Sequence, residues 1–253
     1  MKDALNFAAL FLRRPSQAAD ACRRPNAVRL GLIIYAVSAV VSLATSWFDP
    51  LRYVDPNAPA LAGHSLGFWA SVALWEPVLA ALGIWFGVLA LDWLQEGWLP
   101  FKAAVAALWT AVPVTLALSY SSPRMHMGRG PFIAGLALWL VPGLVLTRRT
   151  SARAWREVGA FLLGLNAVQA VGLAVTLVAA LARSEDLLKT VDIAVLLWLL
   201  AVSGLGLRRL RGISTARAVF AVLFSLVLST AVPVLAYLLG LVPMPVLKVV
   251  LYV

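Results

Sequence analysis

GFWASVALWEPVLAALGIWFGVLAL, Gly67 to Leu91, is an unbroken apolar run carrying one charge, Glu76. Crossing the hydrocarbon layer of a bilayer takes about 20 mostly apolar residues in a helix. The run lacks the polar–apolar alternation of a barrel strand. Since lipid cannot hydrogen-bond an open backbone, a helix is the structure left to it. The same reading applies at 28–48, 102–120, 131–147, 157–182, 188–207 and 216–241. The sequence therefore predicts an all-α, polytopic transmembrane bundle. The run 131–147 is the shortest and has Pro142 and Gly143 near its end, so seven spans are expected, or six if it is re-entrant.

Composition agrees. The 253 residues are 62% hydrophobic and 13% charged, against about 45–50% apolar and about 25% charged in soluble domains. The net charge of +10 would suggest nucleic acid as partner of a soluble protein. Here the basic residues fall in short clusters between apolar runs, as topology signals do, and no nucleic acid is expected. With the N-terminus inside, fifteen Lys and Arg lie on the cytoplasmic side and six on the other, namely Arg52, Arg124, Arg129, Arg183, Lys189 and Lys248. Seven spans give that asymmetry, with the C-terminus outside. The Arg-, Ala- and Leu-rich composition suits a bacterial inner membrane. Residues 4–12 are too short to span and lack a cleavage pattern, so the mature chain is expected to start near Met1.

The chain divides into a cytoplasmic segment, 1–26, and a helical bundle, 27–253. In the first, Ala4, Phe7, Ala8 and Phe11 share one helical face, which predicts a helix lying in the membrane interface. Pro15 ends it, and Ser16 can open a second short helix before Pro25. In the second, Thr-Ala-Val-Pro-Val occurs at Thr110–Val114 and again at Thr230–Val234. A Trp, a Gly and a basic-Ala pair precede each copy: Trp85, Gly97 and Lys102-Ala103, then Trp198, Gly212 and Arg217-Ala218. This predicts one leading helix followed by three related hairpins.

The proline-flanked Phe11-Leu-Arg-Arg-Pro15 and Arg23-Arg24-Pro25 before the first span, Gly97 to Ala104 followed by Pro113, and Val195-Leu-Leu-Trp198, Gly206-Leu207 and Gly212 to Ala218 together resemble the Yip family of membrane proteins, first known as interactors of Ypt/Rab GTPases. The family pattern has fewer spans, and 131–182 departs from it as an extra hairpin. The resemblance implies a non-enzymatic membrane protein that organises partners or shapes membranes.

Among residues that could carry chemistry, Glu76 is foremost. It stands about nine residues into its span, roughly 13 Å down at 1.5 Å per residue. A carboxyl at that depth must be neutral, paired or wet. It serves a proton or ion relay, or it ties the bundle together by hydrogen bonds. Asn166 and Gln169, one turn apart in the fifth span, are its candidate partners. Arg148, Arg149, Arg153, Arg156, Arg208, Arg209 and Arg211 form basic tips that set topology and face anionic lipid headgroups or an acidic partner. His64 and His126 are the only histidines. Met125-His126-Met127 holds soft ligands, but three adjacent residues rarely converge on one ion, so no metal or other cofactor is expected. No hydrolase, nucleotide-binding or metalloprotease motif is present, and no catalytic residue is assigned. Cys22 reads as a plain thiol. Three functional readings remain: a Yip-like protein acting through lipid and protein partners, a small proton-coupled transporter or channel centred on Glu76, and a permanent subunit of a larger membrane complex.

Overall fold

The computed structural model describes residues 2–48, 54, 65–122 and 127–252. His64, Met125 and His126 lie outside them. Ten helices are described: α1 Lys2–Arg13, α2 Pro15–Ala21, α3 Ala27–Phe48, α4 Leu66–Leu94, α5 Leu99–Ser121, α6 Arg129–Arg149, α7 Ala152–Leu181, α8 Glu185–Arg211, α9 Thr215–Leu238 and α10 Met244–Tyr252. Seven of them, α3 to α9, are long and apolar enough to cross a membrane. The protein is a polytopic all-α membrane protein. The weak fourth run is a full helix of 21 residues, in which Pro142 leaves the helix unbroken. Phe11 meets Phe161 near the start of α7, Asp20 of α2 pairs with Arg209 of α8, and Asp92 of α4 pairs with Arg211 of α8, so one face of the bundle carries α1, α2 and the α4–α5, α6–α7 and α8–α9 turns.

Side-chain caps extend the helices beyond their apolar runs. Ser151, Ser184 and Ser214 each accept from the backbone N–H three residues on, at 3.2, 3.2 and 3.3 Å, which satisfies an otherwise open donor of the first turn. Hydropathy alone starts α7 at 157; its cap starts it at Ala152. At 29 residues, α4 is about 43 Å long, longer than the roughly 30 Å hydrocarbon layer.

The centre of the bundle is α7. It packs along α3, where Gly31 lets the backbones approach: a Cβ there would stand 3.0 Å from Leu163 Cβ and 3.1 Å from Ala160 O. Small residues at such a crossing allow the close contact that drives helix association in lipid. The N-terminal helices belong to the same core. Ala4, Phe7 and Phe11 are buried, and the Phe11 and Phe161 ring centroids are 5.2 Å apart. The apolar face of α1 is thus covered by α7, where an interfacial helix would turn that face to lipid. The face was legible; what covers it was not.

The α5–α6 hairpin is peripheral. It is held by a reciprocal pair, in which Trp109 Nε1 donates to Trp139 O at 3.0 Å and Trp139 Nε1 to Trp109 O at 3.1 Å. Trp85 Nε1 joins it to α4 through Thr147 Oγ1 at 2.8 Å. The matched glycines of the repeat, Gly97 and Gly212, have φ of +81° and +66°, the left-handed conformation that closes a helix at little cost for glycine alone. The matched basic residues serve one helix end. Lys102 Nζ donates to Trp93 O at 2.6 Å, and Arg217 donates to Leu94 O and Gly97 O. The short α10 was not expected: Val246, Leu247, Val249 and Val250 are buried while Lys248 is exposed.

Candidate functional site

Glu76 stands in the eleventh position of α4, about 15 Å along the helix from Leu66. Its Oε1 accepts from Ser42 Oγ of α3 at 3.2 Å. The carboxyl borders a cavity of about 350 Å³ that also meets Tyr35, Asn166, Gln169, Ser229 and Thr230. The three polar residues singled out from the sequence thus come to one place. Tyr35 and Ser42 share a face of α3, with Ser38 between them at helical spacing. Asn166 and Gln169 project from α7, Ser229 and Thr230 from α9. Val250 and Leu251 of α10 close one side. The signal that could have found Tyr35 and Ser42 is the spacing 35, 38, 42, a polar stripe inside an apolar run.

Most of these groups are already committed to their own helices. Asn166 Nδ2 donates to Leu162 O at 3.3 Å and to Leu163 O at 3.0 Å. Ser229 Oγ donates to Leu226 O at 3.0 Å, and Thr230 Oγ1 lies 3.0 Å from both Leu226 O and Val227 O. The Tyr35 hydroxyl is buried and has no hydrogen-bond partner among the described residues. Gln169 has no hydrogen-bond partner among the described residues. A second cavity of about 200 Å³ shares Asn166, Gln169, Leu226 and Ser229 with the first and reaches Ser225, whose Oγ donates to Gly83 O at 2.7 Å. The polar lining thereby runs from Glu76 along α7 and α9 to Ser225.

The basic tips divide into two groups. Arg209 Nε is 3.2 Å from Asp20 Oδ1, which joins α8 to α2. Arg23 donates to Arg209 O and Leu210 O at 3.4 and 3.3 Å. Arg211 pairs with Asp92 and donates to Gln95 at 3.0 Å; its side chain is mostly buried and turned into the protein. Arg153 holds the buried Glu157 at 2.7 Å. Arg148, Arg149, Arg156 and Arg208 are exposed and without a partner among the described residues. Sequence reasoning missed Glu157, because its charge falls inside the Arg cluster at 153–156 and reads as part of a wet tip.

Cys22, completely buried below α2, has its thiol pushed up to about 12, first by burial and then by the nearby Glu157. That is the environment of an inert thiol. No group of His, Cys, Asp and Glu among the described residues is arranged to hold a metal. No family model, curated protein or solved structure matches the chain.

Proposed function

We propose that this membrane protein makes and breaks no covalent bond and works through the polar cavity at Glu76, as a small proton-coupled transporter or channel. The observation that supports this best is the convergence of α3, α4, α7 and α9 on one intramembrane carboxyl. Ionisable residues at such depth mark ion and proton paths. Pro77 and Pro233 lie within unbroken helices beside it, and each lacks the N–H that would bond the carbonyl four residues before it. The distribution of Lys and Arg supports a cytoplasmic position for the face carrying α1 and α2, and the reading takes the membrane to be a bacterial inner membrane.

The test is proton flux into proteoliposomes under an imposed potential, read by an internal pH dye. Wild-type protein is expected to conduct above empty vesicles and Glu76→Gln at most a tenth as fast. Equal rates for the two would sink the reading.

A second reading has its own support. The resemblance to the Yip family, with Arg148, Arg149, Arg156 and Arg208 exposed at the face that carries α1 and α2 and without a partner among the described residues, favours a protein that gathers anionic lipids or an acidic partner. Purification in mild detergent with mass spectrometry of co-eluting proteins and lipids separates this from a stand-alone transporter. A stoichiometric protein partner would favour the organiser, or a permanent subunit, over the transporter.

A further inference from the structure

The hydrogen-bonding inventory of the Glu76 cavity restricts what it can hold. Asn166 spends its N–H donors on Leu162 O and Leu163 O, which leaves its Oδ1 as the atom offered to the cavity. Ser42 spends its hydroxyl hydrogen on Glu76 Oε1. Ser229 and Thr230 spend theirs on carbonyls one turn back, so their remaining capacity is to accept. Pro233 has no N–H to give the carbonyl of Ser229, four residues before it, which adds a backbone acceptor on the same turn. Glu76 Oε2 accepts from no described residue. Against these acceptors stand two adaptable groups, the Tyr35 hydroxyl and the Gln169 amide. The cavity is rich in acceptors and poor in donors.

An anion would face the carboxylate with almost nothing to bind it. A bare metal ion needs six or so oxygens drawn in to roughly 2.0–2.6 Å, whereas this space of about 350 Å³ is walled in large part by Val72, Leu79, Leu226, Val250 and Leu251. A group with several N–H donors, a positive charge and a hydrocarbon portion satisfies both halves of the lining. An ammonium has three donors and no acceptor. We infer that the Glu76 cavity binds an organic primary ammonium ion, its N–H groups directed at Glu76, Asn166 and Thr230 and its hydrocarbon chain against Val250 and Leu251. Leu226, Thr230 and Leu251 are exposed on the side of the bundle, so the mouth opens sideways, where an amphiphilic amine already dissolved in the bilayer arrives. This inference rests on the transport reading and names its ligand.

The experiment is equilibrium binding of labelled n-pentylammonium to the full chain in nanodiscs of phosphatidylcholine and phosphatidylglycerol, which contain no primary ammonium of their own. Competitors are pentanoate, pentanol and tetramethylammonium. Saturable binding near one per chain is expected, displaced by unlabelled pentylammonium alone. Glu76→Gln should weaken it at least tenfold and Thr230→Val several-fold. Thr230 lies at the mouth, so the second variant keeps the test valid if the first fails to fold by circular dichroism. Absence of saturable binding, or equal displacement by pentanoate or tetramethylammonium, overturns the inference. If Glu76-dependent proton flux persists in that case, the relay stands and only the ligand is wrong; if flux is absent too, both fall.

Discussion

Burial of Cys22 and its neighbour Glu157 has a consequence that reagents can read. The folded thiol holds its proton to about 12, while an unfolded cysteine ionises near pH 8.5. Above about pH 9 the unfolded chain sheds that proton and the folded one keeps it. Stability should therefore fall as pH rises from 9 toward 12, and this group contributes no slope below that window. Maleimide should leave the native protein unlabelled at pH 7.5 and react once it is unfolded in detergent; rapid labelling of native protein would contradict the buried position. A second prediction at this scale concerns Gly206. A Cβ there would stand 2.1 Å from Phe161 Cζ, in a ring that is fully buried and already in tilted contact with Phe11. Gly206→Ala should cost about 1–3 kcal/mol by overpacking, seen as a lower midpoint of thermal unfolding in detergent. Residues differ in how plainly sequence announces them. Glu76, Asn166 and Gln169 stand out because such groups are costly in lipid. Ser229 and Thr230 do not, since Ser and Thr hydroxyls in membrane helices routinely bond to a carbonyl one turn back and need no functional reason to be there, while Tyr35 and Ser42 show only through the polar spacing 35, 38, 42.

Between elements, the arginines decide which contacts hold. Arg211 crosses from α8 to Asp92 on α4, and the side chains are only 16% and 23% exposed. Removing one partner of a mostly buried pair leaves the other charge uncompensated. Arg211→Gln is expected to destabilise by about 2 kcal/mol, after allowance for partial exposure. Arg208→Gln, one turn away with nothing to lose, should stay within about 0.5 kcal/mol. Equal effects in a denaturation series would show that the α4–α8 clasp carries no weight. The sequence places both arginines in one basic tip and contains no sign of which faces inward, because that depends on α4 lying beside α8. The helices themselves were legible from apolar run length. Their true ends were not, since Ser151, Ser184 and Ser214 add capped, charged turns that hydropathy skips. Helix α10 was not legible for a different reason: its nine residues are too few to cross a bilayer, so run length carries no signal of it.

For the molecule as a whole, seven crossings would put the two ends of the chain on opposite faces. Reporter fusions after residues 96, 150 and 213 should be active only in the cytoplasm, and those after 127 and 183 only outside. An odd–even exchange downstream of 149 would show that α6 does not cross. The overall architecture followed from the solvent, because a bilayer admits few solutions to an unpaired backbone. The grouping of α3, α4, α7 and α9 around one cavity did not, since nothing in a linear run records which helices will be neighbours.

The docking of α1 on α7 also sets a timetable. Phe11 leaves the ribosome about 150 residues before Phe161, which at about 5–20 residues per second is a wait of about 8–30 s. During that interval the apolar face of α1 has no protein to cover it and must rest on the bilayer surface or on a chaperone. The helix made first is among the last to find its place, so a slow or stalled synthesis between α3 and α7 would expose the nascent N-terminus to proteolysis.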